Sequence, residues 1–169
     1  MMIPLVILII GQRVVELYIA NRNRRAVIKL GAKEYGAEHY YLFFLLHVSW
    51  LAGWILESYL KGWTLNPYWY IWFMLLLGAQ VLRYWCITSL GIYWNTRILV
   101  VPGGKRVAKG PYKFLRHPNY LAVVIEFISV PLLYGAVITA VAASICNALL
   151  LLYIRIPAEE KALGYLKAY

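Results

Sequence analysis

Long apolar runs alternate with short polar segments along the chain, and they determine its predicted architecture. About 20 consecutive apolar residues are needed for a helix to cross the hydrocarbon core of a membrane. Five runs approach that length, at about residues 1–20, 40–59, 67–90, 118–134 and 136–156. The last two come from one apolar stretch broken between Pro131 and Gly135, which fits two helices and a tight turn. The sequence therefore predicts an all-α integral membrane protein of five transmembrane helices, the last two forming a helical hairpin.

The polar segments carry the basic residues, which indicate the orientation of the chain. Residues 21–29 and 91–117 are basic and fall on one side of the membrane when five spans are counted. Because Lys and Arg are enriched in cytoplasmic loops, we expect the N-terminus outside and the C-terminus in the cytosol. The tail, 157–169, is expected to be a short amphipathic segment on the inner side. A signal peptide is the alternative for the first span, but that span lacks a basic start and a small-residue cleavage site.

Composition supports a membrane protein and excludes an ordinary soluble domain. Of the 169 residues 63% are hydrophobic and only 14% are charged, whereas charged residues make up about a quarter of a soluble protein. The net charge of +10 would suggest nucleic acid in a soluble chain, but no binding module accompanies it, so we expect no nucleic-acid partner. Cys86 and Cys146 lie in apolar segments without metal-ligand spacing, so no metal site is predicted. The whole chain, 1–169, is expected to form one domain.

The longest polar segment also contains a possible β-hairpin. Residues 97–101 (RILVV) are rich in β-branched side chains, and Pro102, Gly103 and Gly104 follow as a turn signal. Residues 105–109 (KRVAK) would form the second strand. The two glycines are not a dinucleotide-binding fingerprint, because no strand-to-helix GxGxxG unit is present.

Three polar residues on different spans are predicted to lie at one depth. Arg83, Glu126 and Asn147 each lie about 10 to 12 Å from the inner end of their helix, at a rise of 1.5 Å per residue. Ionisable groups inside a membrane are normally turned inward and paired, so an ion pair between Arg83 and Glu126 is expected. Further candidates for this layer from the first two spans are Gln12, Glu16 and His47.

One face of the fourth predicted helix joins this layer to the polar segment before it. Arg116, Asn119, Val123 and Glu126 follow the i, i+3, i+7, i+10 spacing of a single helix face. This face is expected to line a polar cavity open to the cytosol. The alternative is that the buried charges only form polar bonds that hold neighbouring helices together.

The segment GPYKFLRHPNY, residues 110–120, places charge at the start of the hairpin. Pro118 suits the first turn of a helix, so Arg116 and His117 would lie at a positive helix terminus suited to an anion. Alternatively, Arg116 extends to lipid headgroups and His117 only caps the helix.

Two further groups of polar residues are candidates for binding. Glu159 and Glu160 lie near the end of the last span, where a helix terminus disfavours acids and where a cationic ligand would be favourable. The alternative is that they begin a tail helix after Pro157. Trp94 and Asn95 are candidates for the entrance of the cavity, although a Trp at a membrane interface needs no function.

Taken together, GPYKFLRHPNY, an apolar hairpin and RIPAEEKAL (155–163) resemble the isoprenylcysteine carboxyl methyltransferase family, which is related to the phospholipid methyltransferases. The resemblance is specific over the last sixty or so residues. Three further segments are similar to a small bacterial branch, associated with type III polyketide synthases, whose members O-methylate alkylpyrones. These segments are EYGAEHYY (34–41), RYWCITSLGIYWNT (83–96) and ILVVPG (98–103).

The resemblance implies a methyltransferase of the bacterial cell membrane that uses S-adenosylmethionine, bound within about residues 110–169. It implies cofactor contacts from His117, Pro118, Tyr120, Glu159 and Glu160. Arg116 and Arg155 are expected to face the anionic oxygen of the acceptor, with Glu126 as a third catalytic residue and with substrate contacts from Arg83, Trp94 and Asn95. The acceptor is expected to be a lipophilic small molecule that enters from the bilayer among the membrane lipids.

Several functions remain open at this point. O-methylation of an alkylpyrone-like acceptor is expected first, because an acidic oxygen is already ionised and needs orientation by arginine more than a general base. The alternatives are carboxyl methylation of an isoprenylcysteine and N-methylation of a phospholipid. A sterol-type reductase and a non-enzymatic lipid-binding protein are less favoured, and the oligomeric state is left open.

Overall fold

The computed structural model describes residues 2–164, which are mainly helical, with one two-stranded ribbon and irregular connecting segments. The helices are α1 Met2–Lys29, α2 Tyr40–Leu60, α3 Trp69–Leu90, α4 Pro118–Leu133, α5 Val137–Leu150 and α6 Ile156–Leu163. The strands are β1 Lys33–Tyr35 and β2 Ile98–Val100. The chain forms two compact units: the first contains Met1–Ala37, Leu90–Val107 and Ala158–Tyr169, and the second contains Glu38–Ser89 and Ala108–Pro157.

The first helix continues well past the predicted span. α1 includes the basic run that was expected to follow the helix, and it ends only at Lys29. Arg, Lys and Ala in this run are good helix formers, so the polar composition ends the membrane segment without ending the helix. Gly31, with φ of 82°, closes it: its N–H donates to the carbonyl of Ile28, and the N–H of Ala32 donates to that of Val27.

The second and third helices follow the predicted spans closely. α2 matches its predicted limits to within one residue. α3 begins at Trp69 rather than at 67, because Asn66 forms a turn just before it. The Asn66 Oδ1 accepts the N–H of Tyr68 at 2.8 Å, and the Asn66 carbonyl accepts the N–H of Trp69 at 2.9 Å.

The α4–α5 hairpin is present, and its turn follows Leu133, within the predicted break between Pro131 and Gly135; Pro131 itself lies inside α4. The start of α5 is capped by a side chain from another helix. Glu57 of α2 accepts the backbone N–H groups of Ile138 at 3.1 Å and Thr139 at 2.8 Å. Lys61 donates to Glu57 at 2.9 Å and to the Gly135 carbonyl at 2.8 Å. The hairpin turn is therefore fastened to the end of α2.

We expect Glu57→Ala to destabilise the protein by about 2 kcal/mol, because α5 loses charge-assisted hydrogen bonds to otherwise unpaired N–H groups. Thermal or denaturant unfolding in detergent measures this loss. Glu38→Ala, which removes an exposed carboxylate preceding α2, is the matched control and should change stability little. Equal effects of the two substitutions would contradict the capping role.

The last predicted span and the tail form one continuous helix, from Val137 to Leu163, rather than a span that ends at 156 and a separate segment. A π-helical stretch at residues 151–155 joins α5 to α6 just before Pro157. Proline removes a backbone donor and crowds the preceding turn, and a local π-helical widening accommodates such a disturbance. Of the predicted amphipathic tail, residues 165–169 lie outside the described part of the chain.

In the described part of the chain, residues 2–164, four helices are long and apolar enough to cross a membrane: Ile3–Lys29, Ala37–Leu60, Trp69–Tyr93 and Val137–Leu163. α4 has only 16 residues, about 24 Å at the helical rise, against a hydrocarbon core of about 30 Å. Nine of those residues are buried inside the protein. α4 is thus largely enclosed by protein, and a fifth full crossing stays a prediction.

The first strand of the predicted β-hairpin forms, but it pairs with a different segment of the chain. Residues 98–100 do form a strand, but its ladder is with β1, antiparallel, with Glu34 opposite Leu99; of residues 105–109 only Lys105 forms a single β-bridge. Two interactions explain the choice. Arg97 donates to the Glu34 carboxylate at 2.5 Å, and Ile98 and Val100 are buried with the partly buried ring of Tyr35.

Candidate functional site

The RHPNY segment forms the start of α4. Pro118 is the first helical residue and His117 the N-cap. The rings of His117 and Tyr120 stack with centroids 5.4 Å apart and an interplanar angle of 15°. The structure therefore brings together the three residues of this segment for which cofactor contacts are expected.

Arg155, from the other end of the α4–α5 hairpin, contacts this group of residues. Its Nε donates to the Tyr120 hydroxyl at 2.9 Å, and its guanidinium lies 5.7 Å from the centre of the Phe43 ring. Both contacts restrict the planar guanidinium, which can present fixed donors to an anionic oxygen. We call His117, Tyr120 and Arg155 the ring–arginine cluster; it joins two residues expected at the cofactor to one expected at the acceptor.

Gly110 holds the preceding loop against the end of α3. It has φ of 56°, a conformation that favours glycine. A Cβ at this position would lie 2.0 Å from Ser89 Oγ and 2.8 Å from Trp85 Nε1. Since nothing larger fits without movement, the loop that leads to the ring–arginine cluster depends on this glycine.

Arg116 occupies a different position from the one its spacing predicted. α4 begins at Pro118, so Arg116 lies before the helix and is exposed. The predicted face therefore starts at Asn119 and continues through Val123 to Glu126. The spacing argument failed because it extended helical periodicity through the proline that begins the helix.

The predicted ion pair between Arg83 and Glu126 is confirmed. Arg83 Nη2 donates to Glu126 Oε2, while Gln80 Nε2 donates to Glu126 Oε1 at 3.1 Å. The Glu126 side chain is fully buried, and 4% of the Arg83 side chain is exposed. Because both oxygens of the Glu126 carboxylate accept hydrogen bonds from α3, the pair favours a structural role that holds α3 to α4. The catalytic role of Glu126 and the substrate role of Arg83 stay predictions.

The other members predicted for this polar layer are bonded differently. Asn147 is buried, but within residues 2–164 its amide atoms have no hydrogen-bond partner. Glu16 accepts from Gln12 at 2.8 Å and from Arg13 at 2.6 Å, both on its own helix. His47 Nδ1 lies 2.7 Å from the Phe43 carbonyl on α2.

Trp94 and Asn95 lie in the first unit, where their contacts are structural. Asn95 donates to the Ala20 carbonyl at 2.8 Å and accepts the Arg97 N–H at 3.0 Å. Asn23 donates to the Trp94 carbonyl at 2.8 Å, and only 2% of Trp94 is exposed. These bonds hold the segment after α3 to α1, and the substrate contacts expected of both residues stay predictions.

Glu159 and Glu160 lie on α6 and are half-buried. The same helix packs Ala158 and Ala162 with the β-ribbon, where Ala162 is fully buried beside Ile98 and Val100. The structure thus anchors α6 through its small residues. It gives the two carboxylates a helical setting, but within a helix that continues from α5 rather than at the start of a separate helix after Pro157.

Several structural residues had no recognisable signal in the sequence. Glu34 binds Arg97 at 2.5 Å and Arg24 at 3.2 Å, and Glu57 caps α5. Asn23, which lies within the basic run 21–29, is buried. For Glu34 and Glu57 the only hint was an acidic residue in a strongly basic chain, because the bonds from Arg97, Asn23 and Thr139 join residues 63 to 82 positions apart.

These features define a helical membrane protein with a polar cluster at the start of a short, buried helix. Residues 71–165 match the model of the isoprenylcysteine carboxyl methyltransferase (ICMT) family, and the chain belongs to that family. Family members use S-adenosylmethionine, which supports a membrane methyltransferase.

Two relatives share nearly the full length of the chain. The uncharacterized protein YpbQ of Bacillus subtilis is 43% identical over 159 residues, which cover 94% of each chain. An uncharacterized protein of Haemophilus influenzae is 30% identical over 159 residues, covering 94% of this chain and 92% of its own. No solved structure matches the chain.

Proposed function

We propose that this protein is an S-adenosylmethionine-dependent O-methyltransferase acting on a lipophilic acceptor with an acidic oxygen, such as an alkylpyrone. The observation that carries the proposal is the ring–arginine cluster, in which Arg155 bonds Tyr120 at 2.9 Å beside the His117 ring. The ICMT family assignment supports methyl transfer. The choice of acceptor rests on the chemistry of the cluster.

The residues present fit the cofactor by their chemistry. His117 and Tyr120 offer aromatic surface suited to an adenine ring, and the first turn of α4 offers a positive helix end suited to a carboxylate. When bound, S-adenosylmethionine supplies a methyl group on a sulfonium. For Glu159 and Glu160, the cofactor role stays the prediction made from the resemblance.

The acceptor side needs orientation more than a base. An acidic oxygen is ionised near neutral pH, so it could accept the methyl group that the cofactor would supply without first losing a proton. Arg155, held by Tyr120 and Phe43, and the exposed Arg116 would direct that oxygen. Rate would come from alignment of the reacting atoms and exclusion of water.

Carboxyl methylation of an isoprenylcysteine is the second candidate, favoured by the family description. A carboxylate would use the same arginines. N-methylation of a phospholipid needs an additional step, because an ammonium must lose a proton before it can attack.

We place the reaction on the cytosolic side of a bacterial cell membrane, with five spans and the N-terminus outside, as the basic segments indicate.

Ligand-dependent melting of the purified protein tests the cofactor. S-adenosylhomocysteine is expected to raise the melting temperature, since a ligand that binds only the folded state stabilises it, and NADPH is expected to have no effect. Stabilisation by NADPH instead would exclude the proposal.

For the acceptor, methyl-labelled cofactor is added to inverted or right-side-out membrane vesicles, and the lipid extract is analysed by mass. Label should appear on an acidic lipophilic product and only in inverted vesicles; label confined to aminophospholipid would reject the O-methyl assignment.

A further inference from the structure

An open groove of about 710 Å³ lies along the second half of α1. Its polar lining includes the cations Arg22, Arg25 and Lys29, and its apolar lining includes Tyr18, Leu30 and Ile92. We call these six residues the basic groove. All of them belong to the first compact unit, and none is among the residues assigned to methyl transfer.

The cations of the basic groove share one helix face, and among the described residues none of them pairs with a carboxylate. Arg22, Arg25 and Lys29 follow i, i+3, i+7 spacing on α1. Within residues 2–164, the only hydrogen bond of these three side chains is a weak one, 3.5 Å from Arg22 to the Asn23 amide oxygen. By contrast, the neighbouring Arg24 pairs with Glu34 at 3.2 Å. Positive charge in the groove is therefore unbalanced.

The apolar side of the basic groove continues the exposed apolar surface of α1. Preceding Tyr18 on this helix are several exposed apolar side chains, including Ile7, Leu8 and Val14. Tyr18 itself is 69% exposed, which is typical of an aromatic residue at a membrane interface. From Tyr18 to Lys29 the groove follows about 16 Å of helix. It thus begins where the apolar surface ends and the cations begin.

We propose that the basic groove binds an anionic phospholipid. The phosphate would lie on Arg22, Arg25 and Lys29, and an acyl chain would follow the apolar surface toward Tyr18. An arginine fork matches phosphate oxygens, and clusters of Lys and Arg next to a membrane helix attract anionic lipids. A free anion would use only the cations, whereas a lipid also covers the adjoining apolar surface. The proposal does not depend on methyl transfer.

The test compares lipid binding by the full-length protein and two charge-matched variants in detergent, using native mass spectrometry. The groove variant is Arg22→Gln, Arg25→Gln, Lys29→Gln. The control variant is Lys33→Gln, Lys105→Gln, Lys109→Gln, which removes three exposed lysines outside the groove. Phosphatidylglycerol is the probe, with phosphatidylcholine and inorganic phosphate as comparisons.

Wild type and the control variant are expected to bind phosphatidylglycerol alike, and the groove variant at least about tenfold more weakly. Phosphatidylcholine should bind weakly to all three. Equal losses in both variants would show a general charge effect and overturn the proposal. Displacement of the lipid by millimolar inorganic phosphate would assign a soluble-anion site and also overturn it. If the groove variant fails to fold, Arg25→Gln alone decides between the same outcomes.

Discussion

Arg155→Ala is expected to lower kcat by two to three orders of magnitude, roughly the cost of removing one fixed donor to a developing or reacting oxygen. Its Nε is bonded to Tyr120 and its guanidinium lies over Phe43, so the fork is held in one orientation. Arg155→Lys keeps the charge but loses this planar geometry, and it should recover only a small part of the lost rate. Initial rates with labelled cofactor give kcat and KM for each variant.

Tyr120→Phe tests whether the position of Arg155 matters. This change removes the hydroxyl that accepts from Arg155 Nε and preserves the ring that stacks with His117. We expect kcat to fall about tenfold, the equivalent of one hydrogen bond, with little change in the KM for the cofactor. Tyr153→Phe, which removes the hydroxyl of a 75% exposed ring on the same terminal helix as Arg155, is the matched control. If both phenylalanine variants kept wild-type kcat, the positioning role of Tyr120 would be rejected.

The sequence predicted those features that depend on the regular geometry of a helix. Depth along a span follows from residue number and rise, so Arg83 and Glu126 could be matched before any contact was known. Hydropathy located α2 and α3 nearly to the residue. Both predictions succeed because membrane helices must bury apolar side chains and satisfy their own backbone.

Features that depend on long-range contacts could not be predicted in the same way. The strand at residues 98–100 was visible as a β-branched run, yet its partner β1 lies some sixty residues earlier in the chain. Nothing in the sequence near the end of α2 indicates that Glu57 caps α5, because the contact exists only once the two helices are packed together. Hydropathy also could not show where α1 ends, because its last turns are polar but still helical.

The candidate site shows the same division. His117, Pro118 and Tyr120 were grouped correctly because they occupy a single turn, the one that begins α4. The bond from Tyr120 to Arg155 joins the two ends of a helical hairpin, and a pattern along the chain does not specify which side chains meet there. The position of Arg116 was predicted wrongly for a local reason: helical periodicity was extended to it, although α4 begins only at Pro118.

The buried pair of Arg83 and Glu126 gives the second large effect, on stability rather than rate. Glu126→Ala leaves a buried arginine without its carboxylate and should destabilise the protein by about 3 to 5 kcal/mol. Arg83→Met should also destabilise it, because the buried carboxylate then loses its arginine while it keeps the bond from Gln80. Unfolding in detergent measures both variants.

The double variant Arg83→Met, Glu126→Leu separates a structural bond from a catalytic one. Replacing both charges with apolar residues of similar size removes the unpaired ion, so much of the lost stability should return. If the pair only holds α3 to α4, the double variant should keep kcat within a few-fold of wild type. The bonds to both oxygens of Glu126 favour this outcome over the catalytic role expected from the sequence. A double variant that melts like wild type but is inactive would contradict it and would place Glu126 at the reaction.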